Sequence, residues 1–212
     1  MEVTCPEHAD AALSAEVARV VGAVTAIGGA VGWVQPPSTA EITGWLDSLL
    51  TTVRAGRARL AVAHVGGRAE ALGYWERLDG AVLEQNAEIR KVMVHPDARG
   101  RKLARVVVDS LVDTARAAGI ETVILDVRGN NPAAMALYER TGFVVYGRLP
   151  DFVAVGNERF DRVCYRRDLR PAGEANLARH GGRPVGPGWS ATATGTVTAT
   201  VTAGSPPSVG HT

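Results

Sequence analysis

With 212 residues, 46% of them hydrophobic, the chain is long enough to bury one domain of about 150 to 170 residues and to carry appendages. Its 23 Lys and Arg against 22 Asp and Glu leave a net charge of +1. No global field then draws it to nucleic acid or to an anionic membrane, and a small molecule is the expected partner. Cys5 and Cys164 stand far apart without metal-ligand or redox spacing, so no metal is expected and both read as free thiols of a reducing cytoplasm.

The acidic start, Met1 to Glu7, has no charged-then-apolar signal pattern, and a cytoplasmic protein is expected. The uncharged run from Val20 to Val34 is shorter than the ~20 residues a bilayer span needs. It also holds Gly22, Gly28, Gly29 and Gly32, and so reads as a helix ending in a glycine loop. That helix covers residues 9–27, with Leu13, Val17, Val20, Val21 and Val24 at spacings of three and four. Pro36 and Pro37 keep the next stretch from being helical, and Ser38 or Thr39 can cap a second helix that buries Trp45, Leu46, Leu49, Leu50 and Val53 and ends at Gly56.

Residues 60–65 and 71–78 form an expected antiparallel pair around the turn Gly66-Gly67-Arg68, and residues 82–93 lead into a core strand over 87–95. By strict alternation Glu88, Arg90, Val92 and Val94 share one face of that strand. A turn over 96–100, a helix over 101–118, a strand over 122–127 and a short helix over 132–140 follow. Residues 144–149 and 159–167 read as two closing strands separated by a loop over 150–158. Beyond Leu169 the hydrophobic period is lost in a Gly, Pro, Ala, Thr and Ser-rich stretch, so residues 1–170 are the expected domain and 171–212 a disordered tail.

The chemistry lies at the joints of the segment from Ala87 to Phe143. At the change from strand to helix, the amides of residues 99–104 would point into one space, where a helix N-terminus favours a phosphate, and Arg99, Arg101 and Lys102 add positive charge. About thirty residues on, Asn131 can cap a helix whose first position is Pro132, with Gly142 after its last turn. Tyr138 on that helix carries a phenol able to donate first a hydrogen bond and then a proton. It could equally be a core tyrosine.

Together, Val92 to Ala104 and Asn131 to Phe143 resemble the acetyl-CoA-binding core of the GNAT superfamily of N-acetyltransferases. The resemblance implies an α/β (α+β) GNAT fold: a central mixed, mostly antiparallel sheet of six to seven strands with a V-shaped splay, flanked by about four helices. It implies acetyl-CoA as co-substrate, held by the backbone near Met93 and Val94, by Arg99, Gly100, Arg101, Lys102, Leu103 and Ala104, and by Asn131. The superfamily signature has glycine where Lys102 stands. Tyr138 would protonate the departing thiolate. Glu88, in Ala87-Glu88-Ile89, falls where the histone-acetylating branch has its catalytic glutamate; an ion pair with Arg90 is the competing reading, and His95, Asp126 and Glu84 are further candidates for the base. Ala87 to Arg101 and Gly147 to Phe152 look like the tabtoxin-resistance acetyltransferases, which implies a small amine acceptor and a role in antibiotic resistance. Trp33, Asp151 and Phe152 are the expected acceptor contacts, in a pocket made by residues 28–37 and 150–158. A monomer or homodimer is expected, with no nucleic acid or membrane partner. A weakly catalytic CoA-binding regulator and a protein or peptide N-acetyltransferase are the alternatives.

Overall fold

The computed structural model describes residues 1–29, 31–33 and 35–171, and all of the expected tail over 171–212 except Pro171 lies outside the described residues. Seven strands form one sheet in the order β1-β2-β3-β4-β5-β7-β6. In chain order they are β1 (Glu2–Thr4), β2 (Ala58–Val65), β3 (Arg68–Arg77), β4 (Asn86–Val94), β5 (Thr122–Arg128), β6 (Val144–Val155) and β7 (Glu158–Asp168), with helices α1 (Ala11–Ala26), α2 (Thr39–Arg54), α3 (Leu103–Ala117) and α4 (Pro132–Arg140). Every strand pair is antiparallel except β4 with β5. The expected mixed sheet and four helices are therefore present.

Local chemistry accounts for the boundaries. Asp10 caps α1 by accepting from the Leu13 amide, and Ser38 caps α2 in a reciprocal box with Glu41. Gly66 and Gly67, both at positive φ, make the two-residue turn that joins β2 to β3. The apolar stripes of α1 and α2 cover one face of the sheet over Leu60, Val62, Leu72, Tyr74 and Met93. α3 covers the other, packing Leu103, Val107, Val108, Leu111 and Val112 on Ala61, Ala63, Trp75, Ile89 and Leu125. Gly73 lets α3 lie close: a Cβ there would stand 3.1 Å from Val92 and 3.2 Å from both Val107 and Leu111.

Four sequence expectations change. β1 pairs with the edge of β2 and was missed, since three residues show no period. The core strand starts at Asn86, because residues 81–83 form a 3-10 turn with Val82 92% exposed. α3 begins two residues later than expected, after a left-handed Lys102. The expected loop over 150–158 is instead a long β6–β7 hairpin that turns at Gly156 and Asn157. An irregularity between Leu149 and Val153, with Asp151 at φ 55°, hides its period, and Pro150 is tolerated because β6 is an edge strand.

Leu111→Ala, at a fully buried site, is expected to cost about 3 kcal/mol in urea unfolding, whereas Val145→Ala on exposed β6 should cost less than about 0.5 kcal/mol.

Candidate active site

β4 and β5 hold together at only three positions, Asn86 with Thr122, Ala87 with Val123 and Glu88 with Ile124. Beyond Glu88 the two strands part. The cause is visible on the other side of β4, where Leu72 pairs with Met93 and Tyr74 with Arg90, so that Gly73 alone faces both Lys91 and Val92. This one-against-two bulge bends the strand, and Lys91 takes the strain at φ 52°. The expected V is thus present, and the backbone groups that line it are left for a ligand. The bulge also overturns the single face proposed for Glu88 to Val94. Val92 and Val94 pack toward α3 with Ile89, while Met93, 3% exposed, lies in the core beneath α1 and α2.

At the far end of β4 the chain passes through Arg99, Gly100 at φ 79° and Lys102 at φ 62° into α3, which has no side-chain cap. The first bond closing this turn runs from the Val106 amide to the Lys102 carbonyl at 3.2 Å. Among the described residues the amides of Arg101, Lys102, Leu103, Ala104 and Arg105 have no acceptor. Uncapped amides at the positive end of a helix dipole, beside exposed Arg99, Arg101 and Lys102, fit a pyrophosphate. The motif's glycine position proves to be the left-handed residue. Lys102 can occupy it, at a conformational cost of about 1 kcal/mol.

On the α3 side, α4 begins as expected, with Asn131 Oδ1 accepting from the Ala134 amide at 3.1 Å and Pro132 at its first position. Tyr138 is 7% exposed and packs at 5.8 Å from Phe143 and 5.9 Å from Tyr165, ring centre to ring centre. Burial pushes its phenol well above the usual range, with the charge of Asp126 and then Tyr165 adding to the effect. The group stays protonated, as a proton donor must.

Glu88 lies at the crotch of the V. Its Oε2 accepts from Arg90 Nε at 2.8 Å and meets Arg90 Nη2 at 2.6 Å, while Arg90 Nη1 reaches Glu76 at 3.1 Å. The ion pair weighed against a catalytic role is therefore formed. Asp126, one pair further along β5, binds Arg162 of β7 at 2.7 Å. His95 turns away toward Glu70 and Asp97, and Glu84 sits before β4 at the opposite end.

The α1–α2 loop spans the V. Lys91 of β4 donates to the Val31 carbonyl at 2.6 Å, and Arg128 of β5 donates to the Gly28 carbonyl at 3.0 Å. Trp33 lies inside this span, with the Lys91 ammonium 3.8 Å above its ring and the Trp45 ring edge-on at 5.6 Å. Burial, and secondarily Arg90, lowers the Lys91 ammonium to about 8. Neither Lys91 nor Arg128 stood out in the sequence, because a lysine and an arginine on adjacent strands carry no signal until the bulge and loop are known. Asp151 and Phe152 are on exposed β6; the Asp151 amide donates to Asp161 at 3.3 Å, and Phe152, 59% exposed, lies 5.6 Å from the Arg162 guanidinium. Phe152 connects through Arg162 to Asp126, and among the described residues no hydrogen bond, ion pair or ring contact joins Asp151 or Phe152 to Trp33.

Residues 67–143 match the acetyltransferase (GNAT) family. The chain is 29% identical over 161 residues to the L-methionine sulfoximine/L-methionine sulfone acetyltransferase of Pseudomonas aeruginosa, covering 73% of this chain and 86% of that one. In fold it is similar to the ribosomal-protein-alanine N-acetyltransferase of Brucella melitensis, with TM-score 0.69, 18% identity and coverage of 79% of this chain and 99% of that one. It is also similar to a GNAT superfamily phosphinothricin acetyltransferase from Sinorhizobium meliloti, solved in complex with acetyl-CoA, with TM-score 0.66, 19% identity and coverage of 80% and 89%.

In urea unfolding, Lys102→Gly should raise stability by about 0.5 kcal/mol and Gly100→Ala should lower it by about 1 kcal/mol, since both residues have positive φ.

Proposed function

The chain is an acetyltransferase of the GNAT family, and on that premise we propose that it moves an acetyl group from acetyl-CoA to the primary amine of a small, amino-acid-like molecule. The observation that carries this reading is the V between β4 and β5, with the uncapped amides of α3 at one end and a buried, protonated Tyr138 beside it. The pyrophosphate would rest on the amides of residues 101–105, and the pantetheine amides would bond the open backbone near Met93 and Val94. Asn131 would contact the CoA arm from the start of α4.

In this reading the neutral amine attacks the thioester carbonyl directly. A C–N bond forms, the C–S bond breaks, and Tyr138 gives its proton to the departing thiolate, while the proton shed by the new amide nitrogen passes to water and solvent returns one to the Tyr138 phenolate. The acceptor enters as an ammonium and must first lose a proton. Glu88 is the base, its carboxylate oriented by Arg90, with Asp126 as second candidate. Cys164 has no nucleophilic role in this route.

A small acceptor is favoured over a peptide because the Gly28 to Trp33 loop is tied across the V from both strands. The relative named for methionine sulfone supports an amino-acid-like acceptor, and a place in antibiotic resistance or metabolite modification follows if the acceptor is a toxic amine. Among the described residues no helix is long and apolar enough to cross a membrane, and no group of three or more His, Cys, Asp or Glu could hold a metal. We propose a cytoplasmic setting on composition alone.

The test is thiol release from acetyl-CoA with a panel containing L-methionine sulfone, L-methionine sulfoximine and an N-terminal alanine peptide. Amino-acid turnover supports the reading; turnover of the peptide alone favours the peptide alternative, and none with any amine favours a CoA-binding regulator. Tyr138→Phe should lower kcat about 100-fold with little change in the KM for acetyl-CoA. Glu88→Gln should slow the reaction at neutral pH and recover as rising pH deprotonates the amine in solution; a profile identical to wild type removes Glu88 from the mechanism.

A further inference from the structure

Lys91 is half-buried at the strained position of the β4 bulge, facing the loop that roofs the V. Its ammonium has three N–H donors. One is used on the Val31 carbonyl at 2.6 Å, and the ring of Trp33 takes one side at 3.8 Å, with Trp45 further off at 5.9 Å. Gly32, at φ 86°, lets the loop close on this group, since a Cβ there would stand 2.7 Å from Nζ. A side chain there would be strained by that φ and would displace the ammonium.

What the ammonium lacks is an anion. Arg90, next in the chain, is neutralised by Glu88 and Glu76, and Arg162 by Asp126. Among the described residues no carboxylate meets Lys91. A half-buried cation without a counter-ion is costly, and the depressed affinity of this ammonium for its proton is the sign of that cost. A pure strut for the loop would not require charge, because a neutral donor could serve the Val31 carbonyl. A bound carboxylate would use the remaining donors and offset the burial.

We propose that Lys91 anchors a carboxylate of the acceptor, so that the enzyme selects amines bearing an acid group close to the reacting nitrogen. This rests on the acetyltransferase reading above and narrows its substrate class. Lys91 then acts as a specificity-determining residue, gripping the acid group beneath Trp33 while the amine faces the V. The positive charge also favours the free amine over the ammonium at the neighbouring nitrogen, which assists its deprotonation.

The test uses the full chain saturated with coenzyme A, which carries no acetyl group, so that binding is read without turnover. L-methionine sulfone and its carboxamide are titrated calorimetrically into wild type and into Lys91→Met, which keeps the apolar stem, with Lys91→Arg as the charge-retaining control. Wild type should bind the acid at least about tenfold more tightly than the amide, Lys91→Met should bring the two within about twofold with coenzyme A affinity unchanged, and Lys91→Arg should keep part of the preference. Both probes weakened equally by Lys91→Met would reduce Lys91 to a loop strut and overturn the proposal, as would a wild type that binds both probes alike or neither. Should Lys91→Met not fold, Lys91→Gln against Lys91→Arg carries the same comparison. The two readings fail separately: no thiol release from acetyl-CoA with any amine would remove the transferase, whereas thiol release with carboxylate-free amines, equal in wild type and variant, would keep the transferase and remove the anchor.

Discussion

The pairing of one residue, Gly73, against two, Lys91 and Val92, is the constraint on which the rest of this structure depends. An extra residue in β4 cannot be absorbed by a flat ladder, so the strand bends and parts from β5 just after Glu88. The same glycine that faces the bulge has no side chain, and Val107 and Leu111 of α3 pack over it. One position therefore sets both the opening between the strands and the seat of the helix whose amino end points to that opening. The bulge also carries Lys91 out of the alternation and toward the α1–α2 loop.

Charge is divided between the two sides of the V in a way that suits proton movement in opposite directions. On the α3 side Tyr138 is surrounded by rings and by the charge of Asp126, which hold its proton in place. On the other side lie Glu88, Arg90, Asp126 and Arg162, joined in short ion pairs that hold the carboxylates in place. Partly exposed pairs of this sort contribute little to stability. Their value in the proposed reaction is orientation, with a base where the acceptor's proton must leave and an acid where the thiolate needs one.

Much of this was legible in the sequence wherever a single local rule governs. Asn131, Pro132 and Gly142 bracket α4 as capping chemistry dictates, Ser38 starts α2, and the basic turn over 99–102 falls between a β-branched strand and an amphipathic helix. The parts that were not legible depend on pairing between distant segments. The bulge at Lys91 is fixed by Gly73, eighteen or so positions away, and no residue type announces it. Residues 144–149 and 159–167 were legible as strands, but the tip of their hairpin over 150–158 was taken for a loop, because the irregularity between Leu149 and Val153, with Asp151 at positive φ, breaks the alternation there. Glu88 was found together with its rival explanation, and the ion pair to Arg90 exists without deciding its chemistry. Lys102 stands where the signature has glycine, and its left-handed backbone shows why glycine suits that position while lysine occupies it at modest strain.

The central claim is that the splayed strands and the uncapped end of α3 together hold acetyl-CoA, and calorimetric titration of the full chain with acetyl-CoA tests it most directly. The account predicts saturable binding of one molecule per chain, reversed by competition with coenzyme A. A folded protein that takes up no acetyl-CoA would contradict it.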